Sequence, residues 1–325
     1  MTKTTSKLTA GFFALIAGAL IAVQARVNSG LAFEIESGIF AALISFGVGL
    51  VIISLVTLFN RTNRGKLRDV IVIISLVTIL NRTNRGKLRE VVESLSGKRI
   101  PFVFALAGAI GGFFVIVQSS IAGLIGISLF SVGVVTGSSI SAIILDGRGL
   151  LGLEKRPIGL VRIFGTLLAI AGLIVAGDFA RYSFDPLILV AFAAGFGMGF
   201  QQAMNGKFGT LAGSAIVPTF FNFLAGTSLI AVALLLLEGG AVPLSFPTNP
   251  LLYLGGVVGV IFIFIQVVVL PKIGALTMGI AMLVGQLVGS VLLDWIVPIA
   301  QRELTISALI GILLAMLGAG LVARR

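Results

Sequence analysis

Cysteine and histidine are both absent from the 325 residues of this chain. Without cysteine the sequence offers no disulfide and no thiolate nucleophile, and without histidine it offers no imidazole base and no usual zinc ligand. Charged residues make up only 11% of the chain, whereas hydrophobic residues make up 58%. This composition excludes an ordinary soluble globular protein and removes most classes of enzyme. We therefore expect no enzymatic activity, no cofactor and no metal site.

Long apolar runs fill the sequence from its first residues to its last. A helix needs roughly 20 mostly apolar residues to cross about 30 Å of hydrocarbon. Ten such runs are present, so the predicted fold is an all-α polytopic membrane protein with ten transmembrane helices. Their predicted bounds are 8–27, 38–59, 101–119, 122–145, 158–177, 186–204, 213–237, 250–270, 273–293 and 304–322.

The two halves of the chain resemble one another. At an offset of 177, the first half places Gly18, Gln24, Asn28, Ser37, Phe46 and Gly49 on Gly195, Gln201, Asn205, Ser214, Phe223 and Gly226. At an offset of 148, it places Gly108, Gly111, Phe114, Gln118, Gly137 and Asp146 on Gly256, Gly259, Phe262, Gln266, Gly285 and Asp294, and the same register pairs 171–173 with 319–321. The predicted repeats are 1–178 and 179–325. Because five spans per repeat is an odd number, the second repeat is expected to be inverted.

The basic residues give an independent test of orientation, because short cytoplasmic loops carry the excess of Lys and Arg. With both termini in the cytoplasm, only Arg26, Arg181 and Arg302 of the 23 basic residues fall in outer segments. The formal net charge of +11 is therefore explained by membrane orientation. The Lys and Arg residues do not form a patch interleaved with exposed aromatic residues, so no nucleic-acid partner is expected.

A second, shorter duplication lies within the first repeat at 51–89. Residues 51–68 recur as 72–89, displaced by 21 residues. The apolar part of the second copy, Val70 to Leu80, is 11 residues long, about half of what a span requires. We predict that it lies along the inner surface, or enters the membrane and returns, with both basic flanks in the cytoplasm.

Three stretches resemble a known family: GALIAVQARVNSGL (18–31), GAIGGFFVIVQ (108–118) and GIAMLVGQLVGSVLLDW (279–295). They are similar to the YdcZ-like inner-membrane exporters of the drug/metabolite transporter superfamily, relatives of the EamA-like transporters. The resemblance implies a bacterial inner-membrane protein of the fused ten-helix kind, with the fifth and tenth spans peripheral to any cavity. The first half departs from the pattern at 133–146, where Ser138 stands in the place of Gln286.

Polar side chains within the spans are the candidates for substrate binding, because an amide facing lipid is costly. The alternative for each is a hydrogen bond that only joins two helices. The candidates are Gln24, Asn28, Ser45, Gln118, Gln201, Asn205, Asn222, Gln266 and Gln286. As a set, they predict a polar cavity near the axis that relates the repeats.

Two carboxylates end equivalent spans: Asp146 on the predicted inner side and Asp294 on the outer side. Carboxylates exposed alternately to the two sides would suit coupling to an ion gradient, although a solvated Asp at a helix end is also harmless. Glycines four apart, such as Gly108 and Gly112 or Gly285 and Gly289, are typical of closely packed membrane helices.

The predicted function is a secondary transporter that exports a small amphipathic or uncharged metabolite or drug by alternating access. The expected partners are the lipid bilayer and a small-molecule substrate, and a homodimer is compatible with the sequence. One alternative is a non-transporting membrane scaffold or assembly protein. A second alternative, an enzyme acting on lipid, is disfavoured because no nucleophile–base pair or metal cluster is recognisable.

Overall fold

The computed structural model describes residues 3–59, 101–152, 155, 158–177, 185–212, 216–297 and 305–322. These residues form helices, short 3-10 turns and connecting loops, without a strand. The predicted surface segment Val70–Leu80, and most of the duplication at 51–89, lie outside the described residues. The helices are α1 (Lys3–Ile35), α2 (Gly38–Phe59), α3 (Ala107–Ile125), α4 (Ile127–Arg148), α5 (Leu160–Gly177), α6 (Leu187–Ala212), α7 (Ile216–Leu237), α8 (Gly255–Ile296) and α9 (Ile306–Val322).

Eight stretches of the described chain are long and apolar enough to cross a membrane, and a shorter apolar helix covers Ile306–Val322. Many of their leucines, isoleucines and phenylalanines point away from the protein, such as Leu160 and Leu236. In lipid such side chains are well solvated, whereas in water they would form one large apolar surface. The protein is therefore an all-helical, polytopic membrane protein.

Helix ends follow local chain chemistry. α1 continues to Ile35 and is separated from α2 by Glu36, whose φ is 56°. The hydroxyl of Ser37 then accepts a hydrogen bond from the backbone N–H of Phe40 at 2.9 Å, which caps the start of α2. α3 and α4 are separated by Gly126, whose φ of 92° is readily adopted only by glycine. The sequence had placed this break earlier, at 119–122.

The segment α8 is helical over 42 residues, twice the length of a span. A Cβ added to Gly259 would meet Gln24 of α1 at 2.7 Å, and one added to Gly289 would meet Ala19 at 3.1 Å. A straight helix would separate these two glycines by about 45 Å, whereas Gln24 and Ala19 are only about 7.5 Å apart along α1. The segment therefore doubles back.

The turn within α8 lies between Val269 and Met278. Both residues pack in one buried apolar cluster around the first half of α1, together with Ala14 and Ala17. The first limb of α8 consequently runs antiparallel to α1, and the second limb runs parallel to it. Pro271 and Lys272 lie between the two limbs.

Equivalent residues of the two halves make reciprocal contacts. A Cβ on Gly49 of α2 would fall on the ring of Phe223 in α7, and a Cβ on Gly226 of α7 would fall on the ring of Phe46 in α2. The two phenyl rings themselves pack at 5.2 Å between centroids. Phe46 lies against Gly226, and Gly49, three residues later in α2, lies against Phe223, three residues earlier in α7. The two helices therefore cross in antiparallel directions.

A second reciprocal contact joins α5 and α9. A Cβ on Gly165 would meet the carbonyl oxygen of Gly318 at 2.7 Å, and one on Gly172 would meet that of Gly311 at 2.6 Å. The comparison of the two halves had matched Gly320 with Gly172, but a Cβ on Gly320 would have no neighbour within 4 Å. Gly318, and not Gly320, makes the contact that corresponds to the contact of Gly172. At the last helix, the match between the two halves is therefore two residues earlier than the sequence predicted.

Candidate functional site

Most of the predicted site residues are buried. Asn205 is partly buried, and the side chain of Gln266 lies outside the part of the chain that is described. The other seven are buried: Gln24, Asn28, Ser45, Gln118, Gln201, Asn222 and Gln286. Hydrogen bonds and close packing group most of the described set into two clusters, one in each half of the chain.

The N-terminal amide cluster consists of Gln24 and Asn28 on α1, Ser45 on α2 and Gln118 on α3. The amide of Asn28 donates to Oε1 of Gln118 at 3.0 Å, and the amide of Gln24 donates to the backbone carbonyl of Gly255 at 3.0 Å. α8 can approach because Gly255 has no side chain. A Cβ at this position would meet Asn28 Oδ1, and it would lie 2.8 Å from Ser45 Oγ.

The C-terminal amide cluster consists of Gln201 and Asn205 on α6 and Asn222 on α7. Oδ1 of Asn222 accepts from Gln201 Nε2 at 2.7 Å and from Asn205 Nδ2 at 3.1 Å. Gly111 of α3 lies against this cluster, because a Cβ there would lie 3.6 Å from Asn222 Nδ2. The three amides are thus joined through one shared acceptor.

The two clusters differ at one pair of equivalent positions. Ser45 in the first half corresponds to Asn222 in the second, and serine is too short to bridge to its neighbours as Asn222 does. Asn28 Oδ1, Ser45 Oγ and Gln118 Nε2 are buried without a hydrogen-bond partner. In the C-terminal cluster, only Asn205 Oδ1 is left in that state.

The paired rings of Phe46 and Phe223 lie close to the N-terminal amide cluster. A Cβ on Gly259 would lie 2.7 Å from the Gln24 amide and 3.6 Å from the Phe223 ring. The Phe46 ring packs against Gly226, one helical turn beyond Asn222. The aromatic pair therefore stands where the equivalent helices α2 and α7 cross, beside both sets of amides.

Gln286 belongs to neither cluster. It is buried at 4% exposure in the second limb of α8, and it takes part in none of the hydrogen bonds that join the two clusters. Its neighbour Gly285 packs against the backbone of Leu15 in α1.

The two predicted coupling carboxylates both have partners. Asp146 forms an ion pair with Arg162 at 2.9 Å, and Arg162 also donates to the backbone carbonyl of Val322 at 3.0 Å. Asp294 accepts from the backbone N–H groups of Ile127 at 3.0 Å and Ser128 at 2.7 Å. It thereby caps the N-terminus of α4, where a negative charge interacts favourably with the helix dipole.

An apolar crevice of about 190 Å³ lies between α4 and α5, lined by Ile140, Ile143, Ile144, Ile158, Ile163, Thr166 and Leu167. Its almost wholly apolar walls and exposed rim fit lipid chains, not a polar substrate. In the described residues, no group of three His, Cys, Asp or Glu side chains could hold a metal ion.

Sequence reasoning missed the glycines that bring helices onto the amides. Gly111 and Gly259 are repeat-related, and each lies against a glutamine of the opposite half, Gln201 and Gln24. The sequence shows both glycines at matching positions of the two halves, at an offset of 148. That match alone also fits close packing of helices.

Replacing Asn222 with alanine is expected to lower the free energy of unfolding by about 2–4 kcal/mol, because the amides of Gln201 and Asn205 lose their shared acceptor. Replacing Gln286 with alanine is expected to cost less, because Gln286 does not join other amides as Asn222 does. Thermal unfolding of the two purified variants tests the order. Equal stability of Asn222→Ala and the unmodified protein would show that the bridge contributes nothing.

Comparisons with known proteins agree with this architecture. The family model described as "Putative inner membrane exporter, YdcZ" matches residues 9–175 and again residues 186–321. A solved structure described only as "Crystal structure of protein" shares the fold with a TM-score of 0.53, at 18% identity over 98% of this chain and 96% of that one. No curated protein matches the chain. Because the family model covers nearly all of the sequence, in two successive copies, the chain belongs to the YdcZ family of inner-membrane exporters.

Proposed function

We propose that the chain is a secondary transporter that carries a small neutral or amphipathic molecule out of the cell by alternating access between two inverted five-helix repeats. The observation that carries the proposal is the pair of repeat-related amide clusters, near the packed rings of Phe46 and Phe223. Carriers built from repeats bind substrate at the interface between the repeats, and both clusters contact the opposite half, through Gly255 or Gly111.

The antiparallel, reciprocal contacts of α2 with α7 and of α5 with α9 support inversion of the second repeat. Such contacts arise when a two-fold axis relates the halves and lies across the helices. The doubled-back course of α8 supports ten spans, because each of its limbs corresponds to one helix of the first repeat. On this proposal the repeats are 1–178 and 179–325.

Contacts between distant loops support the proposed sidedness. Ser37 donates to Glu238 at 2.7 Å, and both residues fall on the predicted outer side. Asp294, predicted on the outer side, contacts Ile127, which lies near the outer end of the predicted fourth span. On the predicted inner side Arg162 contacts Val322, near the C-terminus. Each contact joins segments that the charge distribution places on the same side.

Sidedness can be tested with single cysteines, because the native chain has none. We expect a cysteine at Ser245 to react in intact cells with an impermeant thiol reagent, and one at Lys155 to react only after the membrane is opened. Both native residues are exposed, so burial does not limit labelling. External labelling at Lys155 would contradict the inverted arrangement.

Coupling to an ion gradient is assigned to Asp146 and Asp294. Asp146 would be released when the ion pair with Arg162 opens, and Asp294 when the N-terminus of α4 moves away. Each carboxylate would then be exposed on its own side of the membrane. This places the coupling groups at the helix ends, where movement of one repeat against the other is largest.

Transport itself is tested by a two-step experiment. Purified protein is screened for thermal stabilisation against metabolites and drugs, since a ligand that prefers the folded state raises apparent stability. Stabilising compounds are then assayed for gradient-dependent movement in proteoliposomes. The C-terminal cluster, in which Asn222 bonds to both Gln201 and Asn205, favours the alternative of a non-transporting scaffold. That alternative prevails if stabilising compounds bind but none is moved.

A further inference from the structure

We propose that the crevice between α4 and α5 holds an acyl chain of an anionic phospholipid from the inner leaflet, and that Arg148 and Lys155 bind the headgroup of the same molecule. Two independent features meet here: an apolar crevice open to the lipid, and a pair of cations at its predicted inner end. Such a site would exist whether or not the protein transports a molecule.

The walls of the crevice determine which part of a ligand can enter it. The crevice measures about 190 Å³, and its lining side chains are isoleucines and a leucine, with Thr166 as the exception. The hydroxyl of Thr166 donates to the backbone carbonyl of Arg162 at 2.9 Å, so its proton is already used within α5. A polar group would lose its own hydrogen bonds on entering. A hydrocarbon chain loses none.

The cations lie at one end of the crevice. Ile140, Ile144 and Arg148 follow one another at intervals of four residues, so they lie along one face of α4. Lys155 precedes the lining residue Ile158 by three positions, which keeps their Cα atoms within about 11 Å of each other. Both cations are exposed. The headgroup of a lipid whose chain enters the crevice would therefore lie within reach of both.

The charge at this end favours an anionic headgroup. The carboxylate of Asp146 is already paired with Arg162 at 2.9 Å. Neither the Arg148 nor the Lys155 side chain forms an ion pair or a hydrogen bond with a described residue. The segment 146–162 contains four basic and two acidic residues, and hence a formal charge of +2. Phosphate oxygens accept charge-assisted hydrogen bonds from such cations, whereas a zwitterionic headgroup brings a cation of its own.

Tryptophan fluorescence can report which lipid occupies the crevice, because the chain contains a single tryptophan, Trp295. The reporter protein carries Phe164→Trp together with Trp295→Phe. Phe164 is 60% exposed and follows the lining residue Ile163, but it is not part of the wall. The full-length reporter is reconstituted in vesicles of dioleoylphosphatidylcholine with a minor fraction of brominated lipid, which quenches a nearby tryptophan. Brominated phosphatidylglycerol is compared with brominated phosphatidylcholine at the same fraction, so that only the headgroup differs.

We expect quenching at position 164 to show a binding constant for phosphatidylglycerol that is roughly 20-fold that for phosphatidylcholine, about fivefold for each cation. The unmodified protein is the control: Trp295 lies at the other end of the protein, on the predicted outer side, and the two lipids should quench it alike. Equal quenching by both lipids at position 164 would show that bulk lipid fills the crevice, which overturns the proposal. Quenching by neither would also overturn it, since another surface, such as a second copy of the chain, would then cover the crevice.

Substitution of the cations tests the headgroup contact. In the reporter protein, Arg148→Gln and Lys155→Gln should each lower the ratio of the two binding constants by about fivefold, and the double variant should abolish the preference. Lys207→Gln is the matched control, because Lys207 is also predicted on the inner side but lies outside the segment 146–162. It should leave the ratio unchanged. A preference that survives in the double variant would contradict binding by these two residues.

Substitution in the wall tests the chain contact. Ile163→Phe places a larger side chain in the crevice and keeps both cations, so the ratio should fall severalfold. Ile174→Phe is its control, since Ile174 is exposed on the same helix but outside the wall. An unchanged ratio in Ile163→Phe would assign the preference to surface charge alone. Quenching measures occupancy and not transport, so a negative result here leaves the proposed function intact, and failure to find transport leaves the lipid site intact.

Discussion

Alanine at Gly285 is expected to destabilise the folded protein by about 3 kcal/mol, enough to remove most of it from a purification. The added Cβ would stand 2.8 Å from the carbonyl carbon and 3.0 Å from the Cα of Leu15, and still closer to the carbonyl oxygen. These are backbone atoms, so the clash is relieved only by moving α1 away from the second limb of α8. Gly137 should behave alike, because it contacts the backbone of Phe192, the residue equivalent to Leu15.

Gly279→Ala is the matched control. It lies in the same helical segment, but a Cβ there would have no neighbour within 4 Å. Alanine is also the better helix former, so the expected change in stability is within about 1 kcal/mol. The measurement is the Tm and the monodisperse yield in detergent for the three variants. A Gly285→Ala protein as stable as Gly279→Ala would show that the helices do not approach as closely as described.

Glycine illustrates how far the sequence could be interpreted. Spacing of four residues predicted close packing at Gly285 and Gly289, and both do face α1. Spacing alone could not distinguish Gly279, which faces nothing within 4 Å, from Gly285, which cannot accept a methyl group. The difference depends on which side of the helix meets a neighbour, and that is set by contacts between residues about 270 positions apart.

The spans were predictable because the bilayer fixes their length and apolar character. The bounds predicted for the second span, 38–59, coincide with α2. Other ends were less certain, because a helix can continue beyond the hydrocarbon. α1 extends to Ile35, eight residues past its predicted end, and α3 continues to Ile125, beyond the predicted end at 119.

The site was predictable as a set of residues but not as a set of bonds. Burial of Gln24, Asn28, Gln118 and Asn222 follows from the cost of an amide in lipid. Which amide bonds to which depends on how α1 crosses α3 and how α6 crosses α7, and no local pattern records that. The same holds for Asp294, whose role as the cap of α4 joins residues 167 positions apart.

Replacing either Phe46 or Phe223 with alanine is expected to lower the free energy of unfolding by about 3–5 kcal/mol. Both rings are buried, at 5% and 2% exposure, and they pack against one another at a tilt of 53°. Each also packs against a glycine of the opposite half, Gly226 or Gly49, so no neighbouring side chain can fill the cavity left behind. The surroundings are reciprocal, and the two losses should therefore agree within about 1 kcal/mol.

The double variant identifies the pair as one unit. Because each ring forms part of the wall around the other, removing both should cost less than the sum of the two single losses, with a coupling of about 0.5–1.5 kcal/mol. Phe12→Ala is the control, since Phe12 is 61% exposed on the lipid-facing side of α1 and should change stability little. Unfolding measured for the four variants in one detergent completes the cycle. Losses that differ by more than about 2 kcal/mol between Phe46 and Phe223, or that add without coupling, would contradict a contact shared equally by the two halves.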